Sequence, residues 1–312
     1  MTPETPYDVL VIGAGPAALS AAIYTTREDL STVLIEKGVV GGLAAITDKV
    51  DNYPGFPEGV TGMDLADNLW KQAERFGTKI EYGEVTAVDG KEKIKKVSTT
   101  AGDMYARAVL IATGTDWKKL GIPGEDTYYG RGVHFCATCD GPLYRDKNLV
   151  VVGGGNSAIQ ESIFLTKFAA HVDLLVRGEA LRASDVLQHE LEEVKDKITI
   201  HFNTTTDEIL GDKDSVNKVI GTDKLTGEKK EFACEGVFIF IGLKPTTGFL
   251  KSCGVECSEV GFVKTNEELM TNVEGIFAAG DVRDGATMQI ASAVGEGATA
   301  ALKIREYLHK NR

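Results

Sequence analysis

Cys136 and Cys139 have two residues between them and Asp140 follows at once, in the run Cys136-Ala137-Thr138-Cys139-Asp140. Thiols at that spacing close an internal disulfide and reopen it. One thiolate attacks a foreign disulfide and the other resolves the mixed species. Asp140 is the nearest acid and suits the proton traffic of that exchange. His134, two residues before the first cysteine, is a rival for the role. The run Asp140-Gly141-Pro142 is also good turn chemistry. The competing reading of the two cysteines is a pair of buried thiols or half a metal knuckle. A zinc site needs four ligands, and no second closely spaced Cys/His pair accompanies them. On the same ground Cys234, Cys253 and Cys257 are read as ordinary thiols, and no metal is expected.

The dithiol lies between two glycine-rich turns. The first is Gly13-Ala14-Gly15-Pro16-Ala17-Ala18, after the apolar run Asp8-Val9-Leu10-Val11-Ile12. In such a turn Gly13 permits the tight bend, and Gly15 lets the backbone approach a pyrophosphate. Ala18 lets the following helix pack on the strand, and the helix start supplies amides and a positive dipole end. Glu36 closes the next strand, near the distance of about 20 residues expected for an acid that accepts from ribose hydroxyls. The second turn, Gly153-Gly154-Gly155-Asn156-Ser157-Ala158, repeats the frame with Gly153, Gly155 and Ala158 in the same places. The interval from Gly13 to Glu36, counted from Gly153, ends on Val176, followed by Arg177. An arginine where a carboxylate would stand favours a 2′-phosphate, hence NADPH over NADH, and Arg182 is placed to join it.

The elements that must hold these residues follow from the apolar pattern. Helices are predicted over 17–26, 62–76, 157–168, 185–194 and 290–308. Strands are predicted over 8–12, 31–36, 109–114, 148–152, 172–176, 236–242 and 276–281, three of them closing on glycines that include Gly114 and Gly280. Two βαβ starts predict an α/β chain with two Rossmann-like nucleotide-binding domains, built on parallel sheets with helices on both faces. At 312 residues the chain exceeds what one core absorbs. The second turn interrupts a domain that must resume to complete its sheet, so the second domain is inserted into the first. The boundaries fall at 1–117 with 246–312, and 118–245. A net charge of −12 with few basic runs disfavours nucleic acid. No apolar run spans a bilayer, and the first eight residues do not resemble a signal peptide. A reducing cytoplasm is the expected compartment, where a Cys-x-x-Cys is catalytic or metal-binding rather than a staple.

Taken together, Gly13-x-Gly15-x-x-Ala18, Cys136-Ala-Thr-Cys-Asp140, Gly153-Gly-Gly-Asn-Ser-Ala158 and Ala279-Gly280-Asp281 closely resemble the low-molecular-weight thioredoxin reductases of prokaryotes. The resemblance covers nearly the whole chain. It implies an FAD domain, an inserted NADPH domain, a homodimer, thioredoxin as partner, and a large rotation between the domains. By position it implies that Cys139 is the thiol next to the flavin, Cys136 the thiol that attacks thioredoxin, and Asp140 the acid. Asp281 would bind ribityl or phosphate groups, Gln289 would lie near the flavin ring, and Asn52 matches a flavin-side segment. Gly42 belongs to a Gly-Gly-Gln motif, but Leu43 stands where the family has glutamine. The family's His-Arg-Arg at the NADPH phosphate is here Val176-Arg177-Gly178. Relatives altered at that place take electrons from NADH, ferredoxin or a deazaflavin.

Two other readings compete. A flavin dithiol oxidase of this fold would pass electrons to oxygen, but it needs no second nucleotide turn. A flavin-bound redox sensor without turnover is separated from an enzyme by an assay with thioredoxin.

Overall fold

Strand β1 (Tyr7–Ile12) is apolar without alternation, and Val9, Leu10 and Val11 are fully buried. Such a strand needs cover on both faces. In the computed structural model, which describes residues 2, 4–47, 50–213 and 215–311, that cover comes from helices on one side and a second apolar cluster on the other. Gly13 ends β1, and helix α1 (Pro16–Arg27) starts with Pro16 in its first turn and Gly15 as its cap. β2 (Thr32–Glu36) returns parallel to β1, helix α2 (Gly62–Arg75) follows, and β3 (Lys79–Tyr82) adds parallel to β2.

The next strands depart from the all-parallel expectation. β4 (Val85–Asp89) pairs antiparallel with β5 (Lys95–Thr99), and β5 antiparallel with β6 (Gly102–Ile111). The links between them are a few residues long. A parallel pair needs a crossover of about a dozen residues, so these three strands have no route except a meander. β6 then lies parallel to β1 and restores the parallel core of the sheet.

The chain divides into two compact units, Met1–Asp116 with Lys244–Arg312, and Trp117–Leu243. It leaves the first through β7 (Thr115–Trp117). The second unit opens with β8 (Val133–His134) and the single turn α3 (Ala137–Asp140). A second βαβ start follows: β9 (Asn148–Val152), α4 (Asn156–Leu165) and β10 (His171–Leu175). α5 (Asp185–Glu193) and β11 (Ile198–His201) come next. Strands β12 (Thr204–Gly211), β13 (Val216–Asp223) and β14 (Lys229–Ala233) form a separate antiparallel sheet, again forced by short links. β15 (Gly236–Ile239) completes the parallel sheet, in the order β11-β10-β9-β15-β8.

The chain returns through β16 (Leu243–Pro245). β17 (Ile276–Ala278) pairs parallel with the end of β6, and α6 (Ile290–Lys310) crosses α1. That crossing is close because its residues are small. Ala17 and Ala21 on α1 and Ala293, Ala300 and Ala301 on α6 are all buried, and a Cβ on Gly297 would strike the Ala17 carbonyl. Among the described residues no helix is long and apolar enough to cross a membrane.

Candidate functional site

In the first unit the glycine turn has the backbone that a phosphate cradle requires. Gly13 has φ +105°, and a Cβ there would sit 2.5 Å from the Ala112 carbonyl oxygen. Only glycine fits. Gly15 is different: its backbone is extended (φ −77°, ψ −178°) and a Cβ would find nothing within 4 Å. The open space in front of it is bounded by Gly42, whose added Cβ would lie 3.7 Å from the Gly15 Cα. The Gly41 amide donates to the Ala14 carbonyl at 2.8 Å, which brings that loop onto the turn. Ala18 is fully buried under the helix.

Glu36 is anchored by the turn itself. Its Oε2 accepts from the Ala14 amide at 2.8 Å and its Oε1 from the Gly38 amide at 2.7 Å. Each oxygen keeps a lone pair for a hydroxyl donor. A pocket opens beside it, walled by Gly13, Lys37, Val85, Thr246 and Phe249. β6 stops at Ile111, short of the strand end expected at Gly114; Gly114 lies in the link to β7 at φ +59° and accepts from the Thr246 amide through its carbonyl at 3.1 Å.

Asn52 and Gln289, far apart in the chain, meet: Asn52 Nδ2 donates to Gln289 Oε1 at 3.0 Å. Asp281 is half-buried and has no hydrogen bond or ion pair among the described residues. Burial pushes its carboxyl up, and Glu296 adds to the shift. Glu296 was not legible in the sequence. It accepts from the Gly280 amide at 2.7 Å and from two nitrogens of Arg283 at 2.8 and 2.9 Å. Arg283 also donates to Thr265 Oγ1 at 2.7 Å. This clamp fixes the turn that carries Asp281.

In the second unit Cys136 and Cys139 are joined as a disulfide, with Cα atoms 5.4 Å apart. Cys136 caps α3, and its Sγ accepts from the Cys139 amide at 3.1 Å. Cys139 is exposed and Cys136 half-buried. Asp140 and His134, weighed above as rivals, are partners: His134 Nδ1 lies 3.0 Å from Asp140 Oδ2. The other ring nitrogen, Nε2, is 2.7 Å from the Tyr144 hydroxyl. The ring is buried at the end of β8, opposite Phe238 in register and 5.2 Å from its centroid. Burial pushes the Tyr144 phenol up to about 12, with Asp140 and Cys234 adding, so it stays protonated.

Burial also lowers the His134 pKa from its ordinary 6.5, against the opposing pull of Asp140. The unfolded chain therefore binds this proton more readily than the folded one. The stability contributed by the neutral ring is present above pH 6.5 and is lost as pH falls below that value. The thermal midpoint is expected to drop more steeply below pH 6.5 in the wild-type chain than in His134→Phe. Parallel curves would contradict this.

The second glycine turn repeats the first. Gly153 has φ +151°, and a Cβ would strike the Phe240 carbonyl. Gly155 caps α4 with open space in front of it, while Ala158 is fully buried. Asn156 Oδ1 accepts from the Ser184 amide at 2.8 Å, and Ser157 is exposed. The Arg182 amide donates to the Gly154 carbonyl at 2.7 Å, so the segment after β10 folds back over the turn. Arg177 and Arg182 are exposed, and neither guanidinium forms a hydrogen bond or ion pair among the described residues. Lys224, unforeseen in the sequence, donates to the Arg177 carbonyl at 3.3 Å. Cys234 and Cys253 are buried and Cys257 is half-buried, all as free thiols.

Two glycine turns of this form on one chain, with a disulfide carried on the second unit, point to a class. The chain belongs to the pyridine nucleotide-disulphide oxidoreductase family, whose model matches residues 7–297. Within it the chain is similar to proteins named thioredoxin reductase. It is 43% identical over 311 residues to that of Bacillus subtilis (strain 168), covering 99% of this chain and 97% of the relative. It is 41% identical over 305 residues to that of Treponema pallidum (strain Nichols), covering 98% of each. The crystal structure of Lactococcus lactis thioredoxin reductase superposes with a TM-score of 0.93 at 38% identity, covering 97% of this chain and 99% of that one.

Proposed function

We propose that the chain is an FAD-dependent thioredoxin reductase that draws electrons from NADPH and delivers them through Cys136 and Cys139 to the disulfide of thioredoxin. The observation that carries this reading is the Cys136–Cys139 disulfide, set in the same unit as the second glycine turn. Bound FAD supplies the two-electron relay between nicotinamide and disulfide. The residues of the first unit fit it. The open space at Gly15 and Gly42 suits a pyrophosphate, and the pocket at Glu36 suits an adenosine. The unpartnered carboxylate of Asp281 suits ribityl hydroxyls, and the Asn52–Gln289 pair is assigned to the flavin ring.

The reduced dithiol then works as follows. The Cys136 thiolate, favoured by the Cys139 amide, attacks the partner disulfide. A bond forms between Cys136 and one partner sulfur, and the other partner sulfur leaves as thiolate. Cys139 attacks the Cys136 sulfur, restores the internal disulfide and releases the second partner thiolate. The two protons of the dithiol end on the partner's thiols, with Asp140 as the acid that moves them. Asp140→Asn is expected to slow these steps by about 10²–10⁴-fold while leaving nucleotide binding intact. Unchanged turnover across pH would reduce Asp140 to a turn residue.

Gly153, Gly155, Asn156, Ser157 and Ala158 are assigned to the NADPH pyrophosphate, and Arg177 and Arg182 to its 2′-phosphate. Gly178 removes the neighbouring cation, so the preference over NADH is looser than with two adjacent arginines. Arg177→Ala loses one charge-assisted contact of about 1.5–3 kcal/mol. The KM for NADPH should rise by about ten- to a hundredfold, with that for NADH nearly constant. An unchanged NADPH/NADH ratio of kcat/KM contradicts the assignment. If neither nucleotide bleaches the flavin, ferredoxin or a deazaflavin becomes the donor. A homodimer in the cytoplasm completes the proposal, and light scattering of the purified chain tests the dimer.

A further inference from the structure

The His134 ring is held from three sides. Its Nδ1 faces Asp140 Oδ2 at 3.0 Å, its Nε2 faces the Tyr144 hydroxyl at 2.7 Å, and Phe238 covers its face. The tautomer follows from the partners. A carboxylate only accepts, so Nδ1 carries the hydrogen, and Nε2 then accepts from the Tyr144 O–H. Asp140 and Tyr144 are the titratable groups at the two ring nitrogens, and Phe238 of β15 brings no charge. Beyond Tyr144 lies the Cys234 thiol, which burial pushes up to about 12 and so keeps neutral. The only other sulfurs nearby in sequence are those of the disulfide itself. On Asp140, Oδ1 has no hydrogen-bond partner among the described residues.

We propose that His134 is a positioning residue for the dithiol chemistry: the chain Tyr144 O–H, His134 Nδ1–H, Asp140 Oδ2 orients the carboxylate and leaves Oδ1 to take and give the thiol proton. This rests on the reading of Asp140 as the acid. Without the Nδ1–H donor the carboxylate is a stronger base and is free to rotate, and both changes act on the proton step alone. Asparagine at 134 keeps an N–H donor directed to Asp140 and gives up only the acceptor for Tyr144.

Two measurements test this on the FAD-loaded chain. The first is ¹⁵N NMR of histidine-labelled protein at neutral pH, with His134 assigned by its loss in His134→Asn. The expected signal is a protonated Nδ1 and an unprotonated Nε2, and the opposite tautomer overturns the proposal. The second is the pH profile of thioredoxin turnover, using the alkaline limb that vanishes in Asp140→Asn. His134→Phe should displace that limb to higher pH, and His134→Asn should return it towards wild type. Donor-driven bleaching of the flavin should be unchanged in both. A wild-type limb in His134→Phe overturns the proposal, as does a limb equally displaced in His134→Asn. Absence of turnover in the wild-type chain overturns the functional reading and this proposal with it.

Discussion

A chain carrying Cys136→Ser or Cys139→Ser is expected to lose thioredoxin reduction down to the uncatalysed background, while NADPH still bleaches its flavin near the wild-type rate. The two half-reactions use different groups. Hydride transfer needs the nucleotide cradles, and thiol exchange needs both sulfurs of the disulfide. Each variant removes one sulfur and leaves a hydroxyl, which neither attacks a disulfide nor resolves a mixed one. The single variants differ in a useful way. With Cys136 gone, the thiol assigned to the attack on thioredoxin is missing. With Cys139 gone, Cys136 attacks and stalls, so a stable mixed disulfide with thioredoxin accumulates and migrates as one band until a reductant is added. A Cys139→Ser chain that releases thioredoxin dithiol at the wild-type rate would end the exchange scheme.

Gly15→Val is expected to give a folded but colourless protein. The extended backbone at Gly15 accepts a side chain, and no atom lies within 4 Å of the added Cβ. The fold therefore tolerates the valine, but the methyl groups enter the gap in front of Gly42, where a pyrophosphate must approach the backbone. FAD occupancy, read from the visible absorbance per chain, should fall to near zero with far-ultraviolet circular dichroism unchanged. Gly13→Val behaves differently. At φ +105° with the Ala112 carbonyl 2.5 Å away, the substitution strains the backbone and overpacks the turn. Each effect costs about 1–3 kcal/mol, so this variant loses stability as well as colour. Equal stability of the two variants, or full flavin in Gly15→Val, contradicts the assignment of the first turn.

The two glycine turns, the dithiol and the helices were legible because each rests on short-range chemistry: a bend that only glycine makes, a spacing that closes a ring, an apolar face repeating with the helix. Strands β4 and β5 and the antiparallel sheet of β12, β13 and β14 were not. Their strands are largely exposed on one side and rich in lysine and threonine, such as Lys229–Ala233, so no buried run marked them. Their direction was still implicit, since the links are too short for a crossover. Longer-range pairings were beyond reach for a different reason. Asn52 meets Gln289, and Glu296 clamps Gly280 and Arg283, only because β17 and α6 return to the first sheet. Likewise, Asp140 and His134 stood as alternatives in the sequence. The turn of α3 brings them together, and Tyr144 completes the set from the 3-10 turn Gly141–Tyr144.

The central claim, that the flavin and the Cys136–Cys139 disulfide form one electron path, is tested most directly by anaerobic titration with NADPH while thiols are counted. Flavin and disulfide each take two electrons, so the wild-type chain should consume about two molar equivalents of NADPH and expose two new alkylatable thiols. Cys136→Ser should consume about one equivalent and expose none. A wild-type chain that bleaches fully at one equivalent, with its disulfide intact, would contradict the account.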